Sequence, residues 1–214
     1  MNALRFYYDF SCPWSYLALV RLQDVADRNA TRIELRPVIV DTVLTTENPP
    51  LQLNRLAMNP AKAAWQRKDL ELWAQFWGIT IKLPAGWPVD SSLAAAAATV
   101  IATEAEHNKG VDFSLQIFAA YFSAGKDISS ADILADLAAD IGLHRAEFLQ
   151  QLTHTKTSTQ VNNWTEELIR QGGFGTPSVF IGDQLFFGND RISLVDWAIG
   201  PISEDDFVMP GQHG

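Results

Sequence analysis

The chain has 214 residues, 47% of them apolar and 19% charged, the make-up of a globular protein with a substantial core. Lys and Arg number 16 against 25 Asp and Glu, a net charge of −9, which argues against nucleic acid or an anionic membrane surface as the main partner. No apolar run is long enough to span a bilayer and no secretory leader is recognisable. The single cysteine, Cys12, has no partner for an internal disulfide, so a cytoplasmic location is expected.

The aromatic stretch LRFYYDF (4–10) reads as a buried strand. Pro13 suits the first turn of a helix, which continues as WSYLALVRLQDVADRN. RIELRPVIV (32–40) is the next strand, so a parallel pair joined by a crossover helix is expected. Residues 45–62, with three prolines, read as loop. A helix then starts near Pro60. Trp65, Leu72, Trp73, Phe76 and Trp77 lie on one side of it, with Trp65, Trp73 and Trp77 expected in the core of the helical region. GITIKLPAGWP (78–88) ends that helix.

Helical segments follow at 91–107, 112–124, 129–141 and 144–152, with Ser91, Ser129 and Ser130 as candidate caps and Gly125 and Gly142 as stops. A helix over 156–171 leads to Gly172-Gly173. SVFI and QLFF then flank Gly182-Asp183, a two-residue hairpin signal, and residues 191–199 read as a short closing helix. The fold class is α/β: one domain over residues 1–43 and 155–214, interrupted by an all-helical insertion over 44–154.

Cys12 stands at a helix N-terminus, where unpaired N–H groups and the helix dipole favour a thiolate. Its pKa is therefore expected to fall. Ser15 occupies the position three residues on, where a second, resolving cysteine would sit. Ser11, just before the turn, reads as structural. The four histidines, 107, 144, 154 and 213, fall in no ligand spacing, so no metal is assigned.

Three stretches carry a family resemblance: FYYDFSCPWSYLA, NPAKAAWQRKDLELWAQFWGITIKLP and GGFGTPSVFIGDQLFFGNDR, the last ending in Gly-Asn-Asp-Arg, in that order along the chain. They resemble the DsbA-like branch of the thioredoxin fold, and within it the 2-hydroxychromene-2-carboxylate isomerases and kappa-class glutathione transferases. The resemblance implies a thioredoxin-like domain with a large helical insertion, a glutathione cofactor and a homodimer.

It also implies site residues. Pro177 would be a cis-proline, leaving the Thr176 backbone to pair with the cysteinyl unit of glutathione. Asn189 and Asp190 would hold the γ-glutamyl end, a carboxylate suiting its ammonium and a helix start its carboxylate. Lys62 would face a glycyl or substrate carboxylate, and Asn48 or Asn54 a loop contact. Trp14, and with it Tyr16, would line the pocket for an aromatic substrate. Each has a plain alternative: Asn189 or Asp190 as a helix cap, Lys62 as an exposed helix lysine, Trp14 and Tyr16 as core.

One position departs from the pattern. The isomerase and transferase branch usually has serine where Cys12 stands, whereas the oxidoreductase branch has cysteine there and a second one where Ser15 stands. The expected activity is a glutathione-dependent isomerase acting on a small unsaturated aromatic carboxylate. The alternatives are a monothiol DsbA-like thiol-disulfide oxidoreductase, a kappa-class transferase, or a glutathione-binding module without turnover.

Overall fold

A computed structural model describes residues 3–47, 49, 59–104 and 107–199. β1 (Leu4–Tyr8) runs into α1 (Pro13–Arg28), β2 (Ile33–Pro37) and α2 (Val40–Glu47). Five helices follow: α3 (Pro60–Phe76), α4 (Ser92–Glu104), α5 (His107–Phe122), α6 (Ala131–Asp140) and α7 (Arg145–Leu152). Then come α8 (Thr155–Arg170), the hairpin β3 (Ser178–Ile181) and β4 (Gln184–Phe187), a 3-10 turn at Asn189–Arg191 and α9 (Ile192–Ile199).

The four strands form one mixed sheet in the order β2-β1-β3-β4. β1 is parallel to β2, Leu4 facing Ile33 and Tyr8 facing Pro37. It is antiparallel to β3, with Phe6 opposite Val179. This is the thioredoxin-like arrangement expected for the ends of the chain.

Side chains alternate across a strand, and β1 uses both faces. Leu4, Phe6 and Tyr8 enter the main core with α1, α4 and α5. Tyr7 points the other way, to Val38, Val43, Leu168 and Phe180. The main core runs without a break from the strands into the central helices, through Phe113, Ile117 and Phe118 of α5 and Leu134 of α6. The helices of 44–154 thus pack directly on the sheet, and the boundary expected at residue 44 falls inside α2. The alanine run has a purpose here: Ala94 to Ala98 are all buried, and their small side chains let α4 pass through the core.

The structure corrects the reading of α3. Trp65, Leu72 and Phe76 are exposed, while Trp73 and Trp77 are half-buried against Leu17 and Leu70. At about 100° per residue, offsets of 0, 7 and 11 residues fall within a narrow stripe. Offsets of 8 and 12 lie roughly a quarter turn away. The five aromatic and apolar positions are two stripes, and only the second faces the core. The helix begins as expected, with Asn59 Oδ1 accepting from the N–H groups of Ala61 and Lys62.

Three smaller readings also change, the first being that Val40, read as strand, and residues 45–47, read as loop, belong to α2. α5 starts at His107 rather than 112. Ser91 does not cap α4 with its side chain; its hydroxyl donates to Asp9 instead. Asn48 and Asn54 lie outside the described residues.

Candidate active site

Cys12 is the residue before the first turn of α1, in extended conformation (φ −98°, ψ 108°). Pro13 fixes the next φ and has no N–H to satisfy, so the helix starts without waste. The Cys12 N–H donates to Asp9 O at 3.0 Å, and Cys12 O accepts from Ser15 N at 3.0 Å. Cys12 makes no side-chain cap. Its Sγ instead donates to the carbonyl of Thr176, 3.5 Å away and 164 residues on in sequence.

That contact joins the turn to the hairpin segment. Thr176-Pro177 is cis, as the resemblance implied. The β3–β4 ladder pairs Ser178 with Phe187. It continues one step further, because Gly188 N donates to Pro177 O at 3.0 Å. Thr176 and Asn189 each lie one residue beyond that last bond, Asn189 at the start of the 3-10 turn. Gly188 has φ 104°, and a Cβ there would meet Asp190 Oδ1 at 2.5 Å. A glycine is needed for the Asp190 carboxylate to fold back over the turn.

Cys12, Thr176, Pro177, Asn189 and Asp190 are therefore brought together by β1–α1, the cis-proline segment and the start of the last helical turn. Asn189 and Thr176 are buried. Asp190 is half-exposed and its nearest cation is Arg191, 3.7 Å away. Thr176 Oγ1 and Asn189 Nδ2 are buried and, among the described residues, have no hydrogen-bond partner of normal geometry, although the Thr176 side chain lies close enough to Cys12 to favour its thiolate. Leaving such a group unpaired costs on the order of 1–3 kcal/mol, so two of them at one place point to a polar ligand. Ser15 Oγ, buried one turn into α1, is also without a partner of normal geometry.

The expected fall in the Cys12 pKa is not what the structure gives. Burial pushes the thiol up. The Ser15 and Thr176 side chains and the Ser15 N–H oppose that shift, and the charge of Asp9 adds to it. The helix N-terminus alone suggested a thiolate because the depth of the turn is a tertiary property.

The other sequence candidates lie apart. Trp14 is half-buried in the cluster of Leu17, Leu70, Trp73 and Trp77, between α1 and α3. Tyr16 is core: its ring stacks on Phe118 at 5.3 Å and on Phe122 at 6.4 Å. Lys62 is exposed on the first turn of α3. It forms no hydrogen bond or ion pair with the described residues of the site.

Sequence reasoning missed three residues. Asp9, 1% exposed, accepts from Ser11 N and Ser11 Oγ at 2.7 Å, Ser91 Oγ at 2.9 Å and Val40 N at 2.8 Å. Trp87 Nε1 donates to Ser11 O at 2.7 Å. A charged residue inside an otherwise apolar strand was the available signal for Asp9. Ser91 and Trp87 carried none, since only the fold brings them under the turn. Ser11 is structural, as expected.

Comparison with known families matches residues 3–200 to the DSBA-like thioredoxin domain. The chain belongs to that family. It is 27% identical over 195 residues to a 2-hydroxychromene-2-carboxylate isomerase of Sphingobium xenophagum, covering 91% of this chain and 96% of that one. It is also 27% identical over 209 residues to glutathione S-transferase kappa 2 of Caenorhabditis elegans, covering 91% and 90%. A solved 2-hydroxychromene-2-carboxylate isomerase superposes with a TM-score of 0.77 at 24% identity, over 92% of this chain and 94% of that one. This last likeness concerns the fold. Among the described residues no helix is long and apolar enough to cross a membrane, and no cluster of potential metal ligands occurs.

Proposed function

We propose that the protein is a glutathione-dependent isomerase of the 2-hydroxychromene-2-carboxylate type, acting on a small unsaturated aromatic carboxylate. The observation that carries the reading is the pair of buried groups without a normal hydrogen bond among the described residues, Thr176 Oγ1, on the residue that Cys12 Sγ contacts, and Asn189 Nδ2, at the start of the turn after β4. Glutathione fits what they lack. Asn189 Nδ2 would donate to the γ-glutamyl carboxylate and Asp190 would accept from its ammonium. The Thr176 backbone and hydroxyl would hold the cysteinyl unit.

When bound, glutathione would supply a thiolate that adds reversibly to the substrate and lets a double bond rotate. The chain's own residues hold the scene for it. Cys12, kept as a thiol by burial, would turn its one weak S–H donor from Thr176 O to the sulfur beside it and would not compete as an anion. Ser15 leaves no internal route to a disulfide. Lys62, exposed on α3, would neutralise a substrate carboxylate, and Trp14 would line the aromatic side. A homodimer and a cytoplasmic location accompany this reading.

A cysteine where the isomerase branch usually carries serine favours a second reading, a monothiol oxidoreductase. The two separate on Cys12→Ser. The isomerase reading expects glutathione-dependent turnover of a hydroxychromene carboxylate, followed by absorbance, to be kept or raised in the variant. Loss of that turnover together with loss of glutathione mixed-disulfide reduction would reject it in favour of the monothiol reading, since a hydroxyl cannot replace a thiolate in exchange.

A further inference from the structure

Asp9 is the most deeply buried acid near the site, and the chemistry described so far does not use it. Its carboxylate gathers three separate pieces of chain. Oδ1 takes both donors of Ser11, in the turn that carries Cys12, and the hydroxyl of Ser91, just before α4. Oδ2 takes the N–H of Val40, the first residue of α2. Its backbone carbonyl takes the N–H of Cys12 itself. All of these donors are neutral. Among the described residues Asp9 enters no ion pair.

A carboxylate in that position is costly unless it is well hydrogen-bonded, and four donors supply the bonding. Two of them are backbone N–H groups, which only donate, so the site is shaped for an acceptor. Burial pushes the Asp9 carboxyl above its usual range, and the hydrogen bonds from Val40, Ser11 and Ser91 oppose that shift; the ionised form is a negative charge without a counterion among the described residues, under the Cys12 turn. A like charge nearby disfavours ionisation of a thiol.

We propose that Asp9 is a positioning residue of this site: it fixes the turn that carries Cys12, and its uncompensated buried charge keeps residue 12 a neutral thiol, leaving the thiolate to the ligand. The proposal rests on the glutathione reading above and deepens it, since it explains how two sulfurs share one place without both ionising.

The groups that face the pair are few. On the turn and α1, Cys12 is the titratable one and Ser15 is neutral. From the hairpin segment Thr176 faces Cys12. α2 and the segment before α4 present Val40 N–H and Ser91, while their acids, Asp41 and Asp90, are exposed. α5 contributes Tyr121, whose phenol is pushed up chiefly by burial and also by the acids Asp127 and Asp9. None of these is a cation.

The test is the pH profile of Cys12 alkylation by iodoacetamide, in wild type and in Asp9→Asn, with no glutathione present. Asp9→Asn keeps the size of the side chain and removes the charge. Its profile should move to lower pH, so that alkylation near pH 7.5 speeds up about threefold or more, the consequence of a shift of about half a pH unit. Ser11→Ala, which leaves the charge and the Ser11 N–H in place, should keep the wild-type midpoint. An Asp9→Asn profile that coincides with wild type overturns the proposal.

Should Asp9→Asn not fold, the wild-type protein gives the answer by carbon-13 NMR with labelled aspartate. The Asp9 carboxyl resonance should show an inflection at the Cys12 alkylation midpoint, and Cys12→Ser should abolish it. Its absence in wild type overturns the coupling. Neither readout involves glutathione, so failure here is distinct from failure to bind glutathione, which calorimetry reports separately.

Discussion

On the Cys12 side of the site, most polar groups are paired within the chain, the buried Ser15 hydroxyl being the exception. Cys12 N–H goes to Asp9 O, Ser11 N–H to the Asp9 carboxylate and Ser11 O to the Trp87 indole. On the opposite side, Thr176 Oγ1 and Asn189 Nδ2 are buried as well, yet have no partner of normal geometry among the described residues. One wall is largely a finished scaffold and the other keeps buried polar groups with bonds left to make. The difference teaches which wall a ligand completes. The paired wall holds a thiol in a fixed place, and the unpaired wall recognises the rest of the molecule. It follows that damage to the second wall should affect binding more than folding.

The largest expected effect is on Asp190. Asp190→Ala removes a charge-assisted contact worth about 1.5–3 kcal/mol, so glutathione affinity should fall roughly tenfold or more. The carboxylate is half-exposed, so the melting temperature should change little. Calorimetric affinity equal to wild type, with the fold intact, would remove Asp190 from the site.

Thr176→Val sharpens the comparison. It replaces a buried hydroxyl that has no partner of normal geometry among the described residues with a methyl of similar size. Without glutathione, stability should stay level or rise by up to about 1 kcal/mol. With glutathione, affinity should fall about fivefold, the equivalent of one ordinary hydrogen bond. A variant less stable than wild type in the absence of ligand would mean that this wall is also scaffold.

The smallest effect tests the paired wall by pH. The folded pKa of Cys12 lies above its usual value of 9.0. Its contribution to stability is therefore fully present below about pH 9 and is lost as pH rises through the folded pKa. The unfolded chain gives up that proton first. The slope from this one group is at most about 1.4 kcal/mol per pH unit. Denaturant melts of wild type and Cys12→Ser should thus converge above pH 9. A gap between them that stays constant, or widens, would contradict the raised pKa.

Much of the scaffold was legible in the chain. The order strand, helix, strand at the start and the Gly182-Asp183 hairpin near the end are local signals, and both elements formed where they were read. Pro13 and Pro60 marked helix starts by their own chemistry. What was not legible is three-dimensional. Whether a helix N-terminus raises or lowers a thiol's pKa depends on how deep it lies, and the depth of Cys12 is set by the hairpin segment 164 residues away. Asp9 could be noticed as a charge in an apolar strand, but its partners Val40 and Ser91 come from two other segments. Trp14 and Tyr16 were left open between core and pocket. Tyr16 went to the core through Phe118 and Phe122, and neither position announces the stack in sequence.

The central claim is that reduced glutathione occupies the space between these two walls with its sulfur beside an intact Cys12 thiol. A crystal structure of the protein with reduced glutathione tests it most directly. The account predicts the γ-glutamyl end at Asn189 and Asp190, a main-chain pairing with Thr176, and a glutathione sulfur close to Cys12 Sγ but not bonded to it. A covalent Cys12–glutathione disulfide under reducing conditions, or glutathione bound away from Thr176 and Asn189, would contradict it.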